Sequence, residues 1–221
     1  MIKNKQKLFQ VHHYQKTNFT LLIINMKPIV FLTVITTLLF AFKPARREDT
    51  LKVDTNKSSI EWIAGKIGGE HSGIVKLSSG SLAFDGDVLK TGSFVINMKS
   101  LAVTDIKGNS AQSLLNHLRG EDFFSVEKHP TSTFTVTKIT PASNNKLNIT
   151  GTLTIKGVSN SISFPAELKK QKNTVIATAK DVKVDRTKYD IKYRSRSFFG
   201  DIGDKAIDDE FRLNINLVAK K

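Results

Sequence analysis

A chain of 221 residues, 39% hydrophobic and 24% charged, has the composition of a globular protein and is long enough for one domain with a sizeable core. Its formal charge of +14 is uneven, because residues 1–47 carry Lys3, Lys5, Lys7, Lys16, Lys27, Lys43, Arg46 and Arg47 with no acid, and the remaining +6 is spread through every segment. That spread lacks a basic helix, zinc-finger spacing or an aromatic ribonucleoprotein motif, so nucleic acid is not an expected partner; the absence of cysteine removes a disulfide framework, a thiolate zinc site, a cysteine nucleophile and a lipoprotein anchor.

The first 47 residues read as a leader. Met26-Lys27-Pro28 precedes an apolar run over residues 29–42 whose polar members are threonines, and Lys43-Pro44-Ala45-Arg46-Arg47 ends it abruptly. A basic start, a 14-residue apolar run and a polar end describe a secretory signal better than a membrane span, which needs about 20 apolar residues. Leu39-Phe40-Ala41 offers one small residue at the cleavage position, so an uncleaved inner-membrane anchor is the alternative, with residues 19–42 spanning. The expected start is Met26 and the expected location periplasmic or secreted.

Downstream, residues 48–221 form one domain. Residues 51–55 and 58–65 read as strands, the second with Ile60, Trp62 and Ala64 on one face. Further strands are expected at 73–77, 81–84 and 91–98, where Phe94, Ile96 and Met98 share a side. Residues 104–108 read as a loop. Asn109 or Ser110 is then expected to cap a short helix through Leu118, with Ala111, Leu114, Leu115 and Leu118 at helical spacing and Gly120 as its stop.

Strands resume at 133–139, at 174–184 and at 210–219, where Phe211, Leu213, Ile215 and Leu217 keep one parity. Between them lies the clearest signal in the chain, residues 147–164. Leu147, Ile149, Leu153 and Ile155 alternate with Asn148, Thr150, Thr152 and Thr154; after the turn at Lys156-Gly157-Val158, Ile162 and Phe164 alternate with Ser161 and Ser163. Gly151 stands where a fifth apolar side chain would fall, and a strand glycine marks a bulge or bend. The expected fold is all-β with one short helix: about eight antiparallel strands closing a lipocalin-like barrel able to hold one small ligand.

The ordered motifs Asp105, Leu118, Asp122-Phe123-Phe124, Pro130 with Phe134, Gly151-Thr152-Leu153-Thr154-Ile155-Lys156-Gly157-Val158 and Val184-Asp185-Arg186-Thr187-Lys188-Tyr189 resemble those of the YceI-like family, from about residue 51 to 219. The resemblance implies an exported bacterial barrel of extended lipocalin type that holds a polyisoprenoid or another long amphiphile without covalent chemistry. Residues 193–208 are longer and more charged than the family's usual link to the last strand, and could cover the barrel mouth.

Alternation nominates Trp62, Phe94, Ile96, Phe134, Val136, Leu153, Ile155, Ile162, Phe164, Phe211 and Leu213 for the lumen, each of which could equally pack the barrel's core. Phe123, Phe124, Phe198 and Phe199 lie in connections and are candidate gates at a mouth, or satellite core. A polar head would need partners where strands give way to loops, which nominates Asp105, Arg186, Arg194, Ser195 and Arg196. Arg186 ranks first, with a loop-pinning ion pair to Asp105 or Asp185 as its structural alternative. The expected partners are a long-chain isoprenoid or fatty-acyl amphiphile, transiently a membrane, and a second copy in a homodimer; no cofactor beyond the lipid is expected.

Enzyme chemistry is weakly signalled. Ser113 and His117 are adjacent by helical spacing with Asp122 nearby, and His71, His117 and His129 with Glu121 or Asp122 are the conceivable metal set, yet no Gly-x-Ser-x-Gly elbow, His-x-x-x-His pair past the leader or phosphate loop is present. An exported hydrolase using the His117 region and a ligand-free adhesion or assembly module are the alternative functions.

Overall fold

Period-two patterning gives each segment a dry face and a wet face, and the dry faces must be covered together. The computed structural model describes residues 49–142 and 146–221. In chain order these contain β1 (Asp49–Val53), β2 (Ser59–Lys66), β3 (Gly69–Asp85), β4 (Val88–Val103), helix α1 (Gly108–Arg119), β5 (Thr131–Pro141), β6 (Lys146–Ile155), β7 (Val158–Gln171), β8 (Thr174–Asp185) and β9 (Ile207–Lys220). The export-signal and anchor readings fall on residues 1–47, outside the described residues.

The strand order is β1-β3-β2-β9-β8-β7-β6-β5-β4, with β4 pairing back onto β3, so β2 to β9 close an eight-stranded antiparallel barrel. This is the all-β, one-helix fold that the alternation predicts. β1 adds no ninth place: it pairs with β3 at residues 81–84 and with β9 at 219–220, while β2 pairs with the same two strands farther along. β1 and β2 are one barrel position broken at residues 54–58, where Ser58 Oγ donates to Asp54 O and accepts from the Val218 N–H.

Two strands carry their parity change inside them. Residues 73–77 and 81–84 look like separate strands because the apolar positions switch from Val75 and Leu77 to Leu82 and Phe84. The structure corrects this to one 17-residue strand, β3, whose register shifts against β4 between Leu77 and Ser79. One extra residue moves every later side chain to the other face, which is what a β-bulge does. β8 repeats the device: Val175, Ala177 and Ala179 give way to Val182 and Val184 across a register shift, with Asp181 at φ 52°. The β6–β7 turn is tighter than a three-residue reading suggests, since Ile155 pairs with Val158 around Lys156 (φ 54°) and Gly157 (φ 78°). Two successive positive φ values are the two-residue turn whose twist suits a hairpin.

The helix is also corrected at its start. It begins at Gly108, and the flanking Lys107 makes no side-chain cap bond, so neither Asn109 nor Ser110 caps it. Tertiary contact holds α1 instead. Leu118 is buried, and Arg119 Nη2 donates to Lys99 O at 2.9 Å and Leu101 O at 2.8 Å. β4 pairs with β5 over residues 93–97, and the guanidinium takes carbonyls on the stretch of β4 beyond that pairing.

Candidate functional site

The inward faces of all eight barrel strands wall a lumen with about 1640 Å³ of space, its opening included. All eleven residues nominated for the lumen stand on that wall: Trp62 on β2, Phe94 and Ile96 on β4, Phe134 and Val136 on β5, Leu153 and Ile155 on β6, Ile162 and Phe164 on β7, and Phe211 and Leu213 on β9. Leu89 is added by an end of β4 that alternation read too short, and Ile60, Leu77, Leu82, Met98, Ile149, Ile215 and Leu217 join from segments already read as strands. Leu118, Ile191 and Ile207 come from α1, the link after β8 and the first residue of β9, where no strand parity could point to them. Ser132, Thr178, Arg186 and Asp208 are the polar residue types on the wall.

An aromatic row crosses this lumen because Gly151 leaves room for it. A Cβ at Gly151 would lie 2.3 Å from Phe134 Cζ and 2.6 Å from Thr135 O. Across that gap in β6, Phe134 of β5 meets Phe164 of β7 with ring centroids 5.6 Å apart, and Phe94 of β4 continues the row, stacked on Phe134 at 6.3 Å. The bulge that the glycine suggested is on the neighbouring strand, between Val136 and Lys138 of β5. Gly73 serves Trp62 in the same way: a Cβ would stand 2.6 Å from the indole, whose Nε1–H donates to Ala102 O at 3.2 Å. The buried indole thus keeps its one donor satisfied.

Aromatic groups from several elements converge at the end of the lumen beside α1. His117 of α1 lies edge-on to Phe123 at 4.9 Å and to Tyr193 at 4.6 Å, and Phe124 meets Phe211 of β9 at 6.5 Å. Phe123 and Phe124, two of the four gate candidates, are on the lumen wall. Phe198 and Phe199 are not; they stand 51% and 49% exposed on the link between β8 and β9. Lys156 in the β6–β7 turn ties this end together by donating to Glu121 O and Asp190 O.

Arg186 fastens the link. It is 4% exposed, its Nε donates to Asp208 O at 2.9 Å, Nη1 to Ile191 O at 2.8 Å, and Nη2 to Ile207 O at 2.9 Å and Asp209 Oδ1 at 3.4 Å. The ion pair expected with Asp105 or Asp185 therefore forms with Asp209. Asp185 Oδ1 is taken by the N–H and Oγ1 of Thr187, at 2.9 and 2.6 Å, and Asp105 is paired instead with His71 Nδ1, at 2.8 Å. Burial lowers the Arg186 pKa from its ordinary value, opposed by the charges of Asp209, Asp185 and Asp208. Burial pushes the Asp209 carboxyl up, but the Ser195 and Ser197 hydroxyls and the Arg186 charge outweigh it, and the net displacement is downward. Tyr189, 1% exposed, is pushed up to about 12 by burial and then by the Asp185 charge, and its hydroxyl has no hydrogen-bond partner among the described residues.

Of the five polar-head candidates, Arg186 alone is on the lumen wall. Ser195 is fully buried, Arg194 lies over the Tyr193 ring at 5.1 Å, Arg196 is exposed, and Asp105 pairs with His71. The hydrolytic set does not assemble: Ser113 and Asp122 are exposed, while the His117 ring lies against Phe123 and Tyr193. Among the described residues, no group of three or more His, Asp or Glu could hold a metal ion.

Comparison with known proteins agrees with this architecture. A family model described as the YceI-like domain matches residues 51–219. A UPF0312 protein of Azotobacter vinelandii is 32% identical over 87 residues, which cover 39% of this chain and 43% of that protein. Another from Vibrio campbellii is 33% identical over 86 residues, covering 35% and 45%. The chain spans less than half the length of these curated relatives. In three dimensions, Burkholderia cenocepacia BcnA superposes with a TM-score of 0.63 at 23% identity, covering 76% of this chain and 99% of that one. A polyisoprenoid binding domain from Saccharophagus degradans, implicated in plant cell wall breakdown, gives 0.57 at 12% identity over 77% and 97%. These two likenesses are of fold, and the family match covers the whole barrel from β1 to β9: the chain belongs to the YceI-like family.

Proposed function

We propose that this protein is an exported, non-enzymatic carrier or store for one long-chain amphiphile, a polyisoprenoid or a fatty-acyl lipid, held in the barrel lumen. The observation that carries the reading is the wall itself, built by apolar side chains from every barrel strand with four polar residue types among them. Each methylene-sized group removed from water contributes roughly 0.8 kcal/mol, which lets such a wall hold a chain without polar contacts along its length. The polyisoprenoid binding domain that shares the fold supports the choice of ligand class. Export rests on the order of basic, apolar and polar segments over residues 26–47.

Organic extraction of the purified protein followed by mass spectrometry tests the reading. One long-chain lipid per chain is the expected result. A protein that yields none, and takes up none when refolded with a prenyl alcohol or a fatty acid, is not a lipid carrier. For export, residues 26–60 fused to a reporter active only outside the cytoplasm should give signal, and a silent fusion would remove that part of the proposal.

A further inference from the structure

A ligand that is almost insoluble as a monomer has to enter from, and leave to, a phase that dissolves it. The lumen reading therefore raises the question of which surface meets a bilayer. The link between β8 and β9 has the required form. Its base is rigid: Arg186 fastens it at Ile191, Ile207 and Asp208, the Ile207 N–H donates to Arg194 O, and Ser195 is fully buried. Its tip is tight, since the Phe198 and Phe199 N–H groups both donate to Ser195 O. That turn presents two adjacent phenylalanines to solvent, each about half exposed. Aromatic rings held outward on a braced turn gain nothing in water, and they suit the interfacial layer of a bilayer.

The surrounding charges favour one kind of bilayer. Arg194, Arg196 and Lys205 are exposed around the turn and in no ion pair among the described residues, while Lys192 is paired with Asp190 and sits 5.0 Å over the Phe198 ring. Asp201, Asp204 and the exposed Asp208 oppose them. The neighbouring β2–β3 turn, joined to the link by the Ile67 N–H on Ala206 O, adds Lys66 and the 41% exposed Ile67, so at this end Arg194, Arg196, Lys205 and Lys66 outnumber the three acids by one. The same link and the start of β9 reach the lumen, where Ile191 of the link and Ile207 and Asp208 of β9 are part of the wall.

We propose that residues 193–208 dock this protein on an anionic phospholipid surface, with Phe198 and Phe199 inserted at the interface and Arg194, Arg196 and Lys205 beside the headgroups. The docked end is the one at which the lumen exchanges its ligand, and in that respect the proposal rests on the lipid-carrier reading.

The absence of cysteine permits a local test on the full chain. Gly200→Cys, at a position where a Cβ would meet nothing within 4 Å, is labelled with a polarity-sensitive fluorophore; Val88→Cys, at the start of β4 and 58% exposed, is labelled as the control. With vesicles of equal phosphatidylglycerol and phosphatidylcholine, the Gly200 label shifts to the blue and brightens, less so with phosphatidylcholine alone or at high salt. The Val88 label does not change. Adding Phe198→Ser and Phe199→Ser abolishes the shift although the apolar leader is still present. No shift with either vesicle, a shift that survives the double serine change, or one that follows protein concentration without vesicles would overturn the proposal; the last would make the turn a contact between copies. The lipid extracted from the double variant is measured separately. If it equals wild type, the carrier reading stands whatever the label reports, and if the wild type itself holds none, that reading falls independently of docking.

Discussion

The middle of the lumen and its helix-capped end are built on opposite principles. In the middle, Phe94, Phe134 and Phe164 form a row made possible by the missing side chain at Gly151, and what is specified is shape. At the end, Arg186 distributes its donors over three backbone carbonyls and Asp209, and what is specified is a polar network under low exposure. Selectivity can therefore reside in different properties at the two places. An apolar wall discriminates ligands by length and width, whereas the charged group best placed to read a head already holds the link together.

The largest expected effect comes from Arg186→Met. Removing one partner of a buried charged network costs about 3–5 kcal/mol, because Asp209 and the carbonyls of Ile191, Ile207 and Asp208 lose their donor. Denaturant unfolding should show that loss, and the weakening of lipid binding should be equal for anionic and neutral heads of the same chain length. A selective loss of the anionic ligand with unchanged stability would make Arg186 a head-group ligand and erase the contrast between the two regions.

Next is the wall. Leu153 is buried on the lumen face of β6 while its neighbour Thr152 points outward, so Leu153→Arg should lower lipid affinity by at least roughly tenfold, about 1.4 kcal/mol, and Thr152→Arg should leave it unchanged. Leu153→Ala serves as the milder variant if the arginine prevents folding. Gly151→Ala acts on packing alone and introduces no buried charge. Its methyl would press on Phe134 and on Thr135 O, and overpacking of this kind costs about 1–3 kcal/mol. The melting temperature should fall and the near-ultraviolet signal of the aromatic row should change; an unaffected variant would mean that the row does not depend on the gap.

The smallest effect appears at high pH. Tyr189 has a folded pKa of about 12, above its ordinary value near 10, so the stability it contributes is complete below about pH 10 and is lost as pH rises toward 12. Tyr189→Phe should flatten that alkaline decline and change little at neutral pH, where the hydroxyl has no partner to lose. An alkaline profile identical to wild type would show that the ring is not buried in solution.

Much of the middle region was legible in the sequence, and the capped end only in part: Phe123, Phe124 and Arg186 could be singled out, but not the groups they meet, for a physical reason. Alternation is a local property, so Trp62, Phe94, Phe134, Leu153 and Phe211 could each be assigned an inward face from their immediate neighbours. Where a bulge intervenes, as between Leu77 and Leu82, the same rule broke one strand into two. Local pattern cannot show that β9 returns beside the turn after β8. Neighbourhood and motif therefore point from Arg186 to Asp105 or Asp185, whereas its partner is Asp209, 23 residues on. Phe198 and Phe199 illustrate the same limit: two aromatics in a connection looked like a gate, and their exposure shows them facing away from the lumen wall. The helix cap failed for a related reason, since α1 is held by Arg119 on β4 and not by its own first turn.

If the lumen binds a chain by burying it, affinity must depend on how much chain there is to bury. Calorimetric titration of delipidated protein with prenyl alcohols or fatty acids of increasing length should show affinity rising with every added unit, by up to roughly 0.8 kcal/mol per methylene-sized group, until the lumen is full, and then no further. Affinity that is independent of chain length, or that follows the head group alone, would contradict it.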